Sequence, residues 1–362
     1  MRPSAIFIVM IFCSVSSLAQ NTESANPTIY GLRTHYGFII PHSEELEDIS
    51  ETSPWGLQVE WSKLMIRERS WNNCNCYAQV GLSFNYFNYG NPSQLGNSYN
   101  LVYFAEPYLS YKKRLFYSFR AGAGVTFLDQ VYDEESNPEN TFYSSPLSFL
   151  LLLNFNVNYR ISPHYTASLT AHYNHISNGG MRTPNRGMNF PTFGVGISYS
   201  PDFTKLEARA KRNDKKGLLQ GYARLFGTLP SVDATDELPE ERKLLLGLSG
   251  GGLWHFTNFN AINFGVELVR DGSFKEEAER NGSDYDHHVI GIMLGHNFVF
   301  GRFTFNQQFG YYAYRPFPSV NRDFYQRYEL LYLFGKRYQI GTSLKAHGHV
   351  AENLDVRLGI LF

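Results

Sequence analysis

Beyond its N-terminal segment the sequence has no apolar run able to cross a membrane as a helix. The longest, Phe149 to Leu153, falls far short of the roughly 20 residues such a helix needs. Cysteine is scarce: there are three, and Cys13 lies in the N-terminal segment. Cys74 and Cys76 remain, in the run NCNC. A zinc or redox centre needs more than one such pair, so these two either join in a tight ring or stay unbridged. Excess charge is lacking too. The formal net charge is −1, and no basic stripe alternates with stacking aromatics, so nothing points to nucleic acid. His287 and His288 adjoin Asp284 and Asp286, but neighbouring residues on a strand diverge and no third ligand is evident. The expectation there is a polar loop, with no metal and no cofactor.

At the start, Arg2 precedes an apolar run from Ile6 to Cys13, and Ser17 and Ala19 stand before Gln20. This pattern reads as a signal peptide over residues 1–19, cleaved after Ala19. Phe12 before Cys13 argues against a lipoprotein site.

What the chain has in quantity is aromatic residues and glycine: 29 Phe, 25 Tyr, 4 Trp and 31 Gly, with a mean hydropathy of −0.31. In a membrane β-barrel only every second residue meets lipid, so mean hydropathy stays low. The alternation is long. Trp55, Leu57, Val59 and Trp61 oppose Gln58, Glu60 and Ser62. Leu151, Leu153, Phe155, Val157 and Tyr159 oppose Asn154, Asn156, Asn158 and Arg160. These stretches suit a tilted spanning strand of about 9–11 residues better than a soluble sandwich strand of about 5–6.

Counting such stretches gives eight strands by Tyr199, in a unit over residues 28–200. A charged connection follows over 201–217, containing KLEARAKRNDKK. Some eight further strands lie in 218–362. The fold class is therefore an all-β antiparallel transmembrane β-barrel of the outer membrane. Residues 218–362 are either a second barrel or a continuation of the first: two tandem barrels and one of up to sixteen strands both fit the count. Leu354, Val356, Leu358, Ile360 and Phe362 alternate up to a terminal phenylalanine. This resembles the signature by which outer-membrane barrels are handed to the barrel-assembly machinery. A short echo, SLTAH at Ser168–His172 and SLKAH at Ser343–His347, hints at duplication, with the second half structural or degenerate.

The strand beginning at Tyr165 carries the chemistry. Tyr165, Ala167, Leu169, Ala171, Tyr173, His175 and Ser177 share one face, because side chains alternate across a strand. A serine hydroxyl becomes a nucleophile when a base takes its proton, and histidine is the usual base near neutral pH. Asn178, Gly179 and Gly180 follow, offering an amide and backbone N–H groups to a developing oxyanion. The bland alternative is a rim histidine beside an ordinary turn.

The segment HISNGGMRTPNRGMN, residues 175–189, resembles the active-site segment of the outer-membrane lipid A 3-O-deacylase (PagL, acyloxyacyl-hydrolase-like) family. The similarity covers about residues 28–200. It implies an eight-stranded barrel that removes an ester-linked 3-hydroxyacyl chain from lipid A. His175 falls on the family's base, Ser177 on its nucleophile and Asn178 on its oxyanion-stabilising asparagine. Pro184, Asn185 and Gly187 match the loop. The family's acid falls on Asn189, which can accept from the imidazole and hold its tautomer but cannot supply a full charge. Glu106 reads as lumen-facing, and Glu134 and Glu135 belong to another loop. Arg182 and Arg186 flank the segment, either as holders of lipid A phosphates or as solvated loop residues.

The leading expectation is a serine esterase acting on lipid A within lipopolysaccharide, in the outer membrane of a Gram-negative bacterium. The alternative is a porin-like or structural barrel with a decayed esterase site.

Overall fold

The computed structural model describes residues 25–41, 43–179, 182–202, 205–232, 235, 238–316, 323–348 and 350–362. The signal-peptide reading over residues 1–19, and Gly180 of the glycine turn, lie outside them.

Two closed antiparallel barrels follow one another along the chain. The first comprises β1 (Thr28–Gly37), β2 (Trp55–Met65), β3 (Ala78–Asn88), β4 (Asn97–Pro107), β5 (Leu115–Leu128), β6 (Leu147–Arg160), β7 (Tyr165–Ser177) and β8 (Met188–Tyr199). Its loops carry α1 (Glu47–Ser50) and α2 (Glu68–Cys74). The seam closes where β1 pairs with β8, Tyr30 opposite Tyr199 and Tyr36 opposite Phe193. The second opens with β9 (Leu219–Thr228), whose following loop holds the small hairpin β10 (Ser231–Val232) and β11 (Glu241–Arg242). It continues through β12 (Leu245–His255), β13 (Asn260–Asp271), α3 (Gly272–Arg280), β14 (His288–Phe300) and β15 (Phe303–Tyr314). It ends with β16 (Phe324–Phe334), β17 (Tyr338–His347) and β18 (Val350–Leu361). Its seam joins β18 to β9, Leu361 opposite Tyr222. A single sixteen-stranded ring, one of the two arrangements the strand count allowed, is thus not formed: β8 returns to β1.

Alternation places the side chains. Tyr165, Leu169 and Tyr173 of β7 are exposed on the outer face, while Ser168, Thr170, His172 and Asn174 are buried inside. Inward charges find partners, as burial demands. Arg120 reaches Glu106 through Nε at 2.6 Å and Glu60 through Nη1 at 2.6 Å. In the second barrel Arg327 meets Glu267 at 2.7 Å and Asp355 at 2.8 Å, and Arg357 meets Glu329 at 2.5 Å. Glu106 is therefore a lumenal residue, as its register implied.

The connections 38–54, 89–96, 129–146 and 178–187 of the first barrel gather at one end, and those at the other, 66–77, 108–114 and 161–164, are shorter on the whole. Long loops face outward in outer-membrane barrels and short turns face the periplasm, so β7 delivers His175 and Ser177 to the outer rim. Beneath that rim Leu46, Phe87, Tyr89, Phe142, Ile176 and Phe190 form an apolar plug that holds the loops down.

At the opposite end Cys74 and Cys76 are disulfide-bonded, which resolves the two options left by the sequence. The charged connection is held there by polar contacts. Trp71 Nε1 donates to the Ala210 carbonyl at 3.0 Å, and Tyr77 Oη to that of Glu207 at 2.8 Å.

Candidate active site

His175 and Ser177 occupy outward positions at the end of β7, both half-buried. Across the β6 side, His175 lies opposite Leu151 and Ser177 opposite Phe149, and both neighbours are exposed on the outer wall. A polar pair thus stands at the upper edge of an apolar strip.

Across the β8 side, His175 faces Asn189. The imidazole Nδ1 is 2.7 Å from Asn189 Oδ1. An amide oxygen only accepts, so this contact keeps the proton on Nδ1 and the lone pair on Nε2. Asn189 is itself fixed by the first long loop, whose Ile40 N–H donates to its carbonyl at 2.8 Å. Gly187 packs against the other side of the ring: a Cβ there would come within 2.9 Å of His175 Cε1, and its φ of +73° suits glycine.

Ser177 Oγ accepts from Asn185 Nδ2 at 3.0 Å and from the Gly179 N–H at 3.1 Å. Asn185 Oδ1 in turn accepts the Asn178 N–H at 3.0 Å. The loop thus folds Asn185 back over the serine. Sequence reading matched Asn185 only as a loop residue, and its hydrogen bonds become visible only with the loop folded.

Asn178 points inward and is fully buried, its Nδ2 donating to the Arg182 carbonyl at 2.7 Å. Ser144 Oγ donates to the same carbonyl at 3.0 Å. The side chain expected at the oxyanion is in this structure a pin for the loop. The backbone donor that meets Ser177 Oγ is Gly179. Arg182 and Arg186 are exposed at the rim. Arg186 Nη2 is ion-paired with Glu45 Oε2 at 2.6 Å, tying the first long loop to the fourth. The third joins them: the Arg186 and Gly187 N–H groups donate to the carbonyls of Thr141 and Phe142 at 3.2 and 2.8 Å.

The second barrel has no counterpart among its described residues. The echoed SLKAH lies on β17, the seventh strand of its barrel as β7 is of the first. Carried on from SLKAH, the places of His175 and Ser177 fall on Val350 and Glu352, after the chain has already turned back at Gly348. His347 is buried between Tyr312 Oη at 2.9 Å and Glu352 Oε2 at 3.0 Å. The segment before β14 departs from expectation. Asp286, His287 and His288 bring ligand atoms within 4.8 Å of one another, because Asp286 and His287 precede the strand and escape its alternation. Asp286 is held by His288 Nδ1 at 2.5 Å and by Tyr314 Oη at 2.9 Å. Those hydrogen bonds lower its pKa to about 2.

The family model described as lipid A 3-O-deacylase (PagL) matches residues 55–198, and that described as acyloxyacyl hydrolase, C-terminal domain, matches 221–362. No curated protein matches. Among solved structures, the outer membrane enzyme PagL is 13% identical, covering 46% of this chain and 97% of its own, with a TM-score of 0.35. Neisserial surface protein A is 10% identical, covering 49% and 99%, at 0.33. A porin of Rh. blastica is 12% identical, covering 92% and 99%, at 0.21. The closed barrels and the two family matches make this an integral, multi-pass protein of the outer membrane.

Proposed function

We propose, since this chain belongs to the lipid A 3-O-deacylase (PagL) family, that it is a serine esterase removing an ester-linked 3-hydroxyacyl chain from lipid A. The observation that carries this reading is the 2.7 Å contact between His175 and Asn189 beside Ser177 on the lipid-facing register. An acyl chain can lie along the wall formed by Phe149, Leu151 and Tyr173, while the charged glycolipid head stays at the rim.

In the proposed reaction Asn189 holds the Nδ1 proton, so Nε2 is the base. Ser177 leaves Asn185, turns toward His175, gives up its proton and attacks the ester carbonyl carbon. The oxyanion is met by backbone N–H groups of the turn, Gly179 first among them, with Asn178 keeping that turn in shape. Collapse breaks the bond to the sugar oxygen, which takes the proton from His175. Water then enters by the same route in reverse and releases the fatty acid. Arg182 and Arg186 are placed by this reading against lipid A phosphates, Arg186 by exchanging Glu45 for a phosphate oxygen.

The porin-like alternative draws little support from the architecture. A wide ring would enclose water, whereas eight-stranded barrels are filled by side chains, and both lumens here are crossed by buried ion pairs. Mass analysis of lipid A from cells with and without the protein tests the proposal. Loss of one 3-hydroxyacyl chain is expected; an unchanged lipid A profile under confirmed expression would sink it.

A further inference from the structure

At the periplasmic end, α2, the charged connection and the β14–β15 turn enclose a cleft of about 550 Å³. The Gly301 N–H donates to the Asn73 carbonyl at 3.2 Å, and the Lys215 N–H to Asn258 Oδ1 at 2.8 Å, which brings the walls together. Three cations line it, Arg69, Lys215 and Arg302, and no acidic residue does. Among the described residues none of the three is ion-paired with a carboxylate. Arg302 Nη1 touches only a phenol, Tyr332 Oη at 3.3 Å. Lys215 is half-buried, and this desolvation lowers its pKa, a cost that an anion would offset.

The remaining wall is aromatic. Phe300 and Phe303 are exposed where β14 and β15 reach the turn, and Phe303 packs on Tyr332 with ring centroids 5.0 Å apart. Aromatic residues at this height of a barrel mark the membrane interface. A neighbouring cleft of about 470 Å³ also holds arginines, but it includes Glu68, and its Arg212 is paired with Asp214 at 2.6 Å. The uncompensated charge belongs to the first cleft.

We propose that this cleft binds an anionic phospholipid of the inner leaflet. Arg69, Lys215 and Arg302 would take the phosphate, and Phe300, Phe303 and Tyr332 the glycerol and upper acyl region. Basic pockets beside membrane-spanning segments select anionic headgroups by this chemistry. The site is independent of lipid A hydrolysis and lies at the other end of the strands.

The test is native mass spectrometry of the full chain in detergent, with dioleoyl phosphatidylglycerol and dioleoyl phosphatidylcholine as probes. The protein is expected to retain phosphatidylglycerol preferentially. The Arg69→Gln, Lys215→Gln, Arg302→Gln variant should lose about tenfold or more of that retention. Lys215→Gln alone should show a smaller loss, serving as the second variant if the triple one lacks heat-modifiable mobility. Lys275→Gln on α3, at the opposite end of the second barrel, should retain lipid normally. Equal retention of the two lipids, or undiminished retention in folded variants, overturns the proposal. So does displacement of the lipid by inorganic phosphate where chloride at equal ionic strength leaves it bound, since the site then takes a free ion.

Discussion

Asn189 stands directly across the β7–β8 pair from His175, its Oδ1 2.7 Å from the imidazole Nδ1. This partner of the imidazole is neutral, so in the proposed reaction its contribution is to tautomer and ring orientation. Asn189→Asp is expected to keep activity or raise it, because a carboxylate also stabilises the imidazolium. Asn189→Ala should lower turnover by about 10²-fold or more. Fatty-acid release from lipid A in mixed micelles reads both; unchanged turnover in folded Asn189→Ala would send the orienting role elsewhere.

Ser177→Ala and His175→Ala should each remove nearly all activity, by about 10³-fold or more in kcat. Assembly should be unaffected, since both side chains lie on the outer wall away from the lumenal ion pairs. Heat-modifiable gel mobility checks folding. Normal turnover in folded Ser177→Ala would eliminate the proposed nucleophile.

Gly187→Ala is expected to impair catalysis through the ring it touches. The new methyl would press on His175 Cε1 in a left-handed backbone conformation, itself costing about 1–2 kcal/mol. A fall in kcat with little change in KM is the expected signature. A variant as active as the parent would mean the ring can shift without loss.

Asn178→Ala should loosen the loop by about 1–3 kcal/mol, because the Arg182 carbonyl loses a buried donor. Trypsin cleavage at Arg182 and Arg186 provides the measurement, together with a drop in turnover. Full protection against trypsin would show that Ser144 alone holds that carbonyl.

Glu45→Gln should free Arg186 and lower KM for lipid A, whereas Arg186→Gln should raise it. Thermal stability should barely move in either, because an exposed ion pair contributes only about 0–1 kcal/mol. Equal KM values across the three proteins would remove Arg186 from substrate binding.

Local periodicity carried most of the fold into view. The two-residue alternation on β2, β5 and β7 marks their lipid and lumenal faces, and it puts His175 and Ser177 on the same side without further information. Features set by long-range pairing were not legible. Whether β8 returns to β1 or adds β9 depends on edges far apart in sequence, so the strand count admitted both outcomes. Asn178 reads as a catalytic amide until the third loop brings Ser144 beside the Arg182 carbonyl. Asn185 looks like turn chemistry until the loop folds over Ser177. Asp286 and the two histidines converge because they bridge a loop and a strand end, where neither period applies.

The lumenal ion pairs have a bearing on strand number. Arg120 on β5 reaches Glu60 on β2, and Arg327 on β16 reaches Glu267 on β13; each joins walls three strands apart. Barrel diameter grows with strand count, so in a ring of twice the circumference these walls would separate beyond the span of an arginine. Each misjoined sheet would then lose those pairs and leave their charges to the water that so wide a ring encloses. The arginines work as calipers: they accept a ring of eight and penalise a wider one.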